Sequence, residues 1–193
     1  MKPLISKEEQ ERKDRRNKTI IGVLLVAVMI FSTAGYAFFS STAGDKNENG
    51  GNEAYNGIEF VRGNGVWLFN IGGAEFATQY NPKETEDIKL PILSAAQYNG
   101  RPLYIVSEES EASAEVARNM QGFVERMQYA CLQNYTCADE NLPEKGCEDN
   151  VIFFSEANAS SIEKEENCVF ILHNSSEGVR AADAFLFGIL GVR

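Results

Sequence analysis

The 193-residue chain is short of the residues that most often carry chemistry. It has one His, one Trp, four Cys and five Pro. One His and four Cys leave little material for a zinc centre, and no Cys-x-x-Cys pair or His at ligand spacing occurs. Gly-x-Ser-x-Gly elbows, phosphate loops, dinucleotide fingerprints and calcium-loop spacings are all missing. The low Gly and Pro content excludes collagen-like and low-complexity classes, and 44% hydrophobic residues exclude a wholly disordered chain. A net charge of -10 leaves too little positive charge to displace counterions from phosphates. No nucleic-acid partner and no cofactor is therefore expected.

Charge is also absent locally. Residues 1–18 carry seven Lys/Arg and four Asp/Glu, residues 19–43 carry none, and residues 44–193 carry eleven Lys/Arg against twenty-four Asp/Glu. The apolar part of the uncharged stretch runs from Thr19 through Phe39 without a polar face. At ~1.5 Å per helical residue it spans about 30 Å, the thickness of a bilayer core. Tyr36, Phe38 and Phe39 fall at its far end, where an interfacial aromatic belt would lie. A transmembrane helix is expected over 19–43, with the lipid bilayer as its partner. Lys13, Arg15, Arg16 and Lys18 precede it and only Lys46 follows closely, so the N-terminus is expected in the cytoplasm and the acidic bulk outside.

Ser41-Thr42-Ala43 offers a signal-peptidase spacing, but the apolar run exceeds the ~7–15 residues of a signal h-region. An uncleaved signal anchor is the better reading. Gly22 and Ala27 form no small-xxx-small pair, and Arg15-Arg16-Asn17-Lys18 is not a pilin processing site. The tail from Lys7 to Lys18, mixed in sign, reads as a topology signal.

Residues 44–53 are polar and Gly-rich, a tether of about 17 Å as a random coil. A domain of ordinary size follows from 54 to 193. Ile58–Val61, Val66–Ile71 and Glu75–Tyr80, separated by Gly-containing turns, read as a three-strand meander. The lone Trp67 among them reads as packing. Asn81-Pro82-Lys83-Glu84 starts a short helix. Pro102–Val106 reads as a buried strand, and Ser110 as the cap of a longer helix. Val116, Met120, Phe123, Val124, Met127 and Cys131 share one helical face, which puts Cys131 at that helix's end. The Met residues on this face read as core. Val151–Phe154 and Cys168–Leu172 read as strands with a polar connection between them. Asn174 or Ser175 caps a last helix with Val179, Ala182, Phe185, Leu186, Ile189 and Leu190 on its buried face. The fold class expected is α/β or α+β, a mixed β-sheet with two main helices.

Cys131, Cys137, Cys147 and Cys168 all follow the anchor, and an even count in an extracytoplasmic domain favours two disulfides. Three connectivities are possible. With Cys131 ending a helix and Cys168 beginning a strand, the reading leans to Cys131–Cys168 and Cys137–Cys147. Asn134, Asn158 and Asn174 head Asn-x-Ser/Thr triplets at loop or cap positions, where a glycan could be accepted. His173 lies between a strand end and a helix start, five residues after Cys168. That tempts a Cys/His reading, which a disulfide at Cys168 opposes. The acidic runs Glu108-Glu109 with Glu111, and Glu163 with Glu165-Glu166, read as solvated surface. No catalytic residue is assigned, because no nucleophile, base and orienting group come together.

Tyr55-Asn56-Gly57-Ile58-Glu59-Phe60, the Trp67 hairpin, Tyr80-Asn81-Pro82-Lys83-Glu84, Asn167-Cys168-Val169 and Ile189-Leu190-Gly191-Val192 form a spaced set of signals. With the basic start, single helix and polar tether, the chain resembles archaeal single-pass membrane proteins that carry a small cysteine-containing extracytoplasmic α/β domain. The resemblance implies architecture and location, and no catalytic or cofactor-binding residue. Two functions fit. The first is a membrane-anchored interaction domain or envelope-complex subunit with a protein partner. The second is an extracytoplasmic enzyme or small-ligand binder using His173 and nearby carboxylates.

Overall fold

The computed structural model divides into residues 1–48 and 49–193 and describes residues 51–193, apart from 108, 109, 138 and 140. The expected anchor over 19–43, the basic tail and the start of the tether lie outside the described residues. Among the described residues, no helix is long and apolar enough to cross a membrane.

An antiparallel meander opens the domain: β1 (Asn52–Tyr55), β2 (Ile58–Gly63), β3 (Val66–Ile71) and β4 (Ala74–Thr78), paired in that order. Asn52 and Glu53, in the segment read as tether, already belong to β1. Three two-residue turns join the strands. Asn56-Gly57, Asn64-Gly65 and Gly72-Gly73 all have positive φ, the condition for type I′ hairpins whose twist matches that of the strands. A 3₁₀ turn (Lys83–Thr85) follows behind a reciprocal capping pair. Asn81 Oδ1 accepts from the Glu84 amide at 3.0 Å, and Glu84 Oε2 accepts from the Asn81 amide at 2.7 Å.

The second sheet is mixed. It uses β5 (Pro102–Val106), β6 (Arg126–Tyr129), β9 (Val151–Glu156), β10 (Ser161–Glu165) and β11 (Cys168–His173), in the order β10-β11-β9-β5-β6. All neighbours are parallel except β10, which runs antiparallel to β11 at the edge. A two-strand pair, β7 (Cys131–Leu132) with β8 (Glu144–Lys145), lies in the connection from β6 to β9. Two helices complete the fold: α1 (Ser110–Met120) and α2 (Gly178–Ile189). This is an α+β domain with a mixed sheet and two main helices, as expected.

Other expected features also differ. The long helix ends at Met120, and residues 126–129 are strand β6. Met120 is buried from the helix, while Val124 and Met127 pack on the same core from the turn and the strand. Those residues mimic a helical stripe because they approach one core, although the chain turns at Gln121-Gly122. The polar connection after β9 contains strand β10. Only Ile162 of that strand is buried, so the hydrophobic pattern that identifies a strand is missing.

Helix α2 lies between two cores. Phe185, Leu186, Ala181, Ala182 and Ile189 join the mixed sheet and α1. Phe187 joins Phe60, Trp67, Phe69 and Phe76 of the meander. Every residue from Ala181 to Ile189 is buried, which explains its Ala and Gly content: a helix covered on both sides needs small residues for close approach. It starts at Gly178, later than the expected cap, with Glu177 in the capping position and no side-chain cap bond. Trp67 is core, as read from sequence, and the Arg62 guanidinium sits 5.0 Å above its ring.

Candidate functional site

The connections around the mixed sheet create a switch point. The chain leaves β5 through α1 to reach β6 on one side, then returns to the other side of β5 to form β9. Adjacent parallel strands whose connections leave in opposite directions open a crevice at their carboxyl ends, the usual ligand position in open sheets. A cleft of about 860 Å³ lies there. The ends of β5 (Val106, Ser107), β6 (Tyr129, Ala130), β9 (Phe153 to Glu156) and β11 (His173) form its walls, and Thr136, Cys137, Asp139 and Leu142 of the Cys-bearing loop close one side.

His173 is the most enclosed polar group on that wall, 2% exposed. It faces the helix side of β11 with Val169 and Ile171, because alternate residues share a face. Its ring lies edge-on to Phe154, 6.5 Å between centroids. Nδ1 is 2.9 Å from the carbonyl of Asn174, which can only accept, so Nδ1 donates and Nε2 carries the lone pair in the neutral ring. Glu156 is the direct register partner of His173 across the β9–β11 pair, and it is exposed. Asp139 Oδ1 accepts from both the backbone and the side chain of Asn141. The backbone bond first, then the side-chain bond, holds the Asp139 carboxyl below its ordinary range.

The Cys/His idea fails on geometry. Cys168 packs with Tyr104 and Val151 on the opposite face of β11 and is disulfide-bonded. Five residues along a strand reverse the face, so its sulfur and the His173 ring point apart.

The connectivity is Cys131–Cys137 and Cys147–Cys168, with Cα separations of 5.5 and 4.9 Å. This corrects the expected Cys131–Cys168 and Cys137–Cys147. Cys131 is not at a helix end but in β7, so it sits beside the loop it begins. Cys147 is brought to Cys168 by the lead-in to β9, where the Asn167 amide donates to the Cys147 carbonyl at 3.1 Å. Of the glycan candidates, Asn134 and Asn158 are exposed. Asn174 is half-buried, with Nδ2 donating to Glu177 at 2.8 Å. The acidic run Glu163, Glu165, Glu166 is exposed, and Glu108 and Glu109 lie outside the described residues.

A second constellation was not visible in the sequence. Asp183 of α2 is fully buried, with Oδ2 accepting from the amides of Gln79 and Tyr80 at 3.0 and 2.8 Å. Glu115 of α1 is buried beside it and pairs with Arg118 at 2.7 Å through Oε2. The other oxygens, Asp183 Oδ1 and Glu115 Oε1, are buried with no hydrogen-bond partner among the described residues. A proton on Asp183 donated to Glu115 satisfies both. Burial, and then the neighbouring Glu115 charge, raise the Asp183 carboxyl well above its ordinary value. This pair sits at the α1–α2 contact, away from the cleft-lining residues.

Among the described residues, no three His, Cys, Asp or Glu side chains are grouped to hold a metal ion. Comparison of the chain with protein-family models, curated proteins and solved structures returned no match.

Proposed function

We propose that the protein is a membrane-anchored extracytoplasmic binding domain that takes a small ligand in the strand-edge cleft. The observation that carries this reading is a switch-point cleft of about 860 Å³ walled by the chain's only histidine. Binding is favoured over catalysis because Nδ1 of His173 is spent on a backbone carbonyl rather than an orienting carboxylate, and no nucleophile is positioned against Nε2 among the described residues. The location rests on the uncharged run over 19–43 and its basic flank.

Ligand-observed NMR with a fragment library on the full chain in nanodiscs tests the cleft. Fragments are expected to bind, and Ser155→Trp, which fills the cleft, is expected to abolish their signals; unchanged signals would overturn the reading. Protease shaving of intact cells tests location. A C-terminal tag should be lost and an N-terminal tag kept.

A protein partner is supported by one further observation. Tyr135 is half exposed and packs with a tilted ring against Phe153 of the cleft wall, 4.9 Å between centroids. An interaction or envelope-complex role would use this rim. A photocrosslinker at position 135 is then expected to give a discrete adduct in membranes, and its absence would remove that role.

A further inference from the structure

We propose that the cleft is selective for an organic cation, an ammonium or guanidinium head on an apolar body. The proposal rests on the ligand-binding reading above and names the ligand class for that site.

The polar groups on the cleft wall are suited to receive hydrogen bonds. His173 Nε2 is an acceptor in the neutral ring because the Asn174 carbonyl fixes the proton on Nδ1. The residue is 2% exposed and lines the cleft, and among the described residues its ring bonds only through Nδ1. An acceptor left open on a cleft wall can take an N–H donor from a ligand. Glu156, in direct register with His173, forms no ion pair among the described residues. Asp139 contributes a second carboxylate on the loop side, with Oδ1 engaged by Asn141. The remaining polar lining is hydroxyl: Ser107, Thr136 and Ser155. Among the described residues, no Lys or Arg lines the cleft.

In sequence the lining residues fall in stretches free of Lys and Arg, bounded by Arg126 of β6 and Lys145 of the Cys-bearing loop, which do not line the cleft. Neither residue type occurs in 102–117, 127–144, 146–163 or 165–179. An anionic ligand would meet two carboxylates and no counter-charge, which is unfavourable in a partly enclosed site. The apolar part of the wall joins Val106, Ala130 and Leu142 to three aromatic rings, Tyr129, Phe153 and Phe154. Such rings accept both an apolar body and, at their faces, a cation.

The single histidine makes the test specific, because selective ¹⁵N-His labelling of the full chain reports one imidazole. Phenethylamine, phenethyl alcohol and phenylacetate share an aromatic body and differ in charge. Each is titrated into the labelled protein in nanodiscs, where fragments of this size bind in about the millimolar range. Phenethylamine is expected to move the His173 Nε2 resonance saturably, with at least about tenfold weaker binding by the other two. Glu156→Gln, a change at an exposed position, should weaken phenethylamine about tenfold and leave phenethyl alcohol unchanged. Equal binding of all three, or tighter binding of phenylacetate, would overturn cation selectivity and leave the cleft reading standing. If none of the three moves the resonance and the fragment library also fails, both readings fall.

Discussion

Asp183 sits where a charge is costly, yet its replacement by an apolar residue would be worse. The amides of Gln79 and Tyr80 depend on its carboxyl, and leaving them unpaired in the interior costs about 1–3 kcal/mol each. The neutral acid serves them and also donates to Glu115. Because the folded-state pKa lies above the ordinary 3.8, the folded protein holds a proton that the unfolded chain releases. The resulting stabilisation is complete below about pH 4 and is lost as pH rises through the raised value. Asp183→Asn retains an acceptor for the amides and a donor for Glu115 at every pH. It is expected to stabilise the domain by about 1–2 kcal/mol at pH 8 and to flatten the dependence of Tm on pH, measured by thermal unfolding from pH 4 to 9. A variant whose Tm still falls with pH as steeply as the parent's would remove the shared-proton account. Tyr98 is a related case: its hydroxyl is buried without a partner among the described residues, and burial pushes its pKa up.

Helix α2 is the element on which both sheets depend. The side chain of Phe187 is its link to the meander, with ring centroids 6.0 Å from Phe60 and 5.8 Å from Phe69. Phe185, two residues earlier, faces the other core and meets Tyr98 edge-on at 6.2 Å. Phe187→Ala should cost about 3–5 kcal/mol, as truncation of buried aromatics does. Amide exchange is expected to accelerate first in β1–β4, because the meander loses its shared core while β5, β9 and β11 keep theirs. Uniform acceleration across both sheets would show that the layers do not open separately. Much of this element was legible in the sequence. Val179, Ala182, Phe185, Leu186 and Ile189 read as its buried face because they recur at helical spacing. Phe187 and Asp183 were not part of that face, since one-sided burial is the ordinary expectation for a helix and this one is covered on two sides.

At the scale of the whole molecule, the two disulfides do different work. Cys147–Cys168 ties the lead-in of β9 to the start of β11 and closes a separation of 21 residues. Cys131–Cys137 closes only six, on the cleft wall. Loop-closure entropy gives about 3 kcal/mol for the first and about 2 kcal/mol for the second. Replacing Cys147 and Cys168 by Ala should therefore lower the unfolding free energy more than replacing Cys131 and Cys137, as denaturant titration of both double variants would measure. The reverse order would show that the short bridge stabilises chiefly through the folded loop. The charge pattern also belongs to this scale. The overall -10 divides into a basic start, an uncharged run and an acidic remainder, and the residues found lining the cleft come from that remainder and include two carboxylates, Asp139 and Glu156.

Local signals were enough for what depends on neighbours in the chain. Asn-Gly and Gly-Gly turns impose hairpins wherever they flank alternating strands, so the β2–β4 meander was readable, and so were the buried runs of β5, β9 and β11. The uncharged run and the even cysteine count likewise support an expectation without any fold. Strand order, cysteine partners and the cleft depended on contacts between residues far apart in sequence. A periodicity shared by helix, turn and strand cannot reveal that β6 lies beside β5, and the cysteine pairing was misread for the same reason. The cleft exists because β9 returns to the far side of β5, bringing Ser107, Glu156 and His173 to one sheet edge. Nothing near any of the three in sequence encodes that return. It is decided by the tertiary pairing of β9 between β5 and β11, with the helices packed on the face of the sheet.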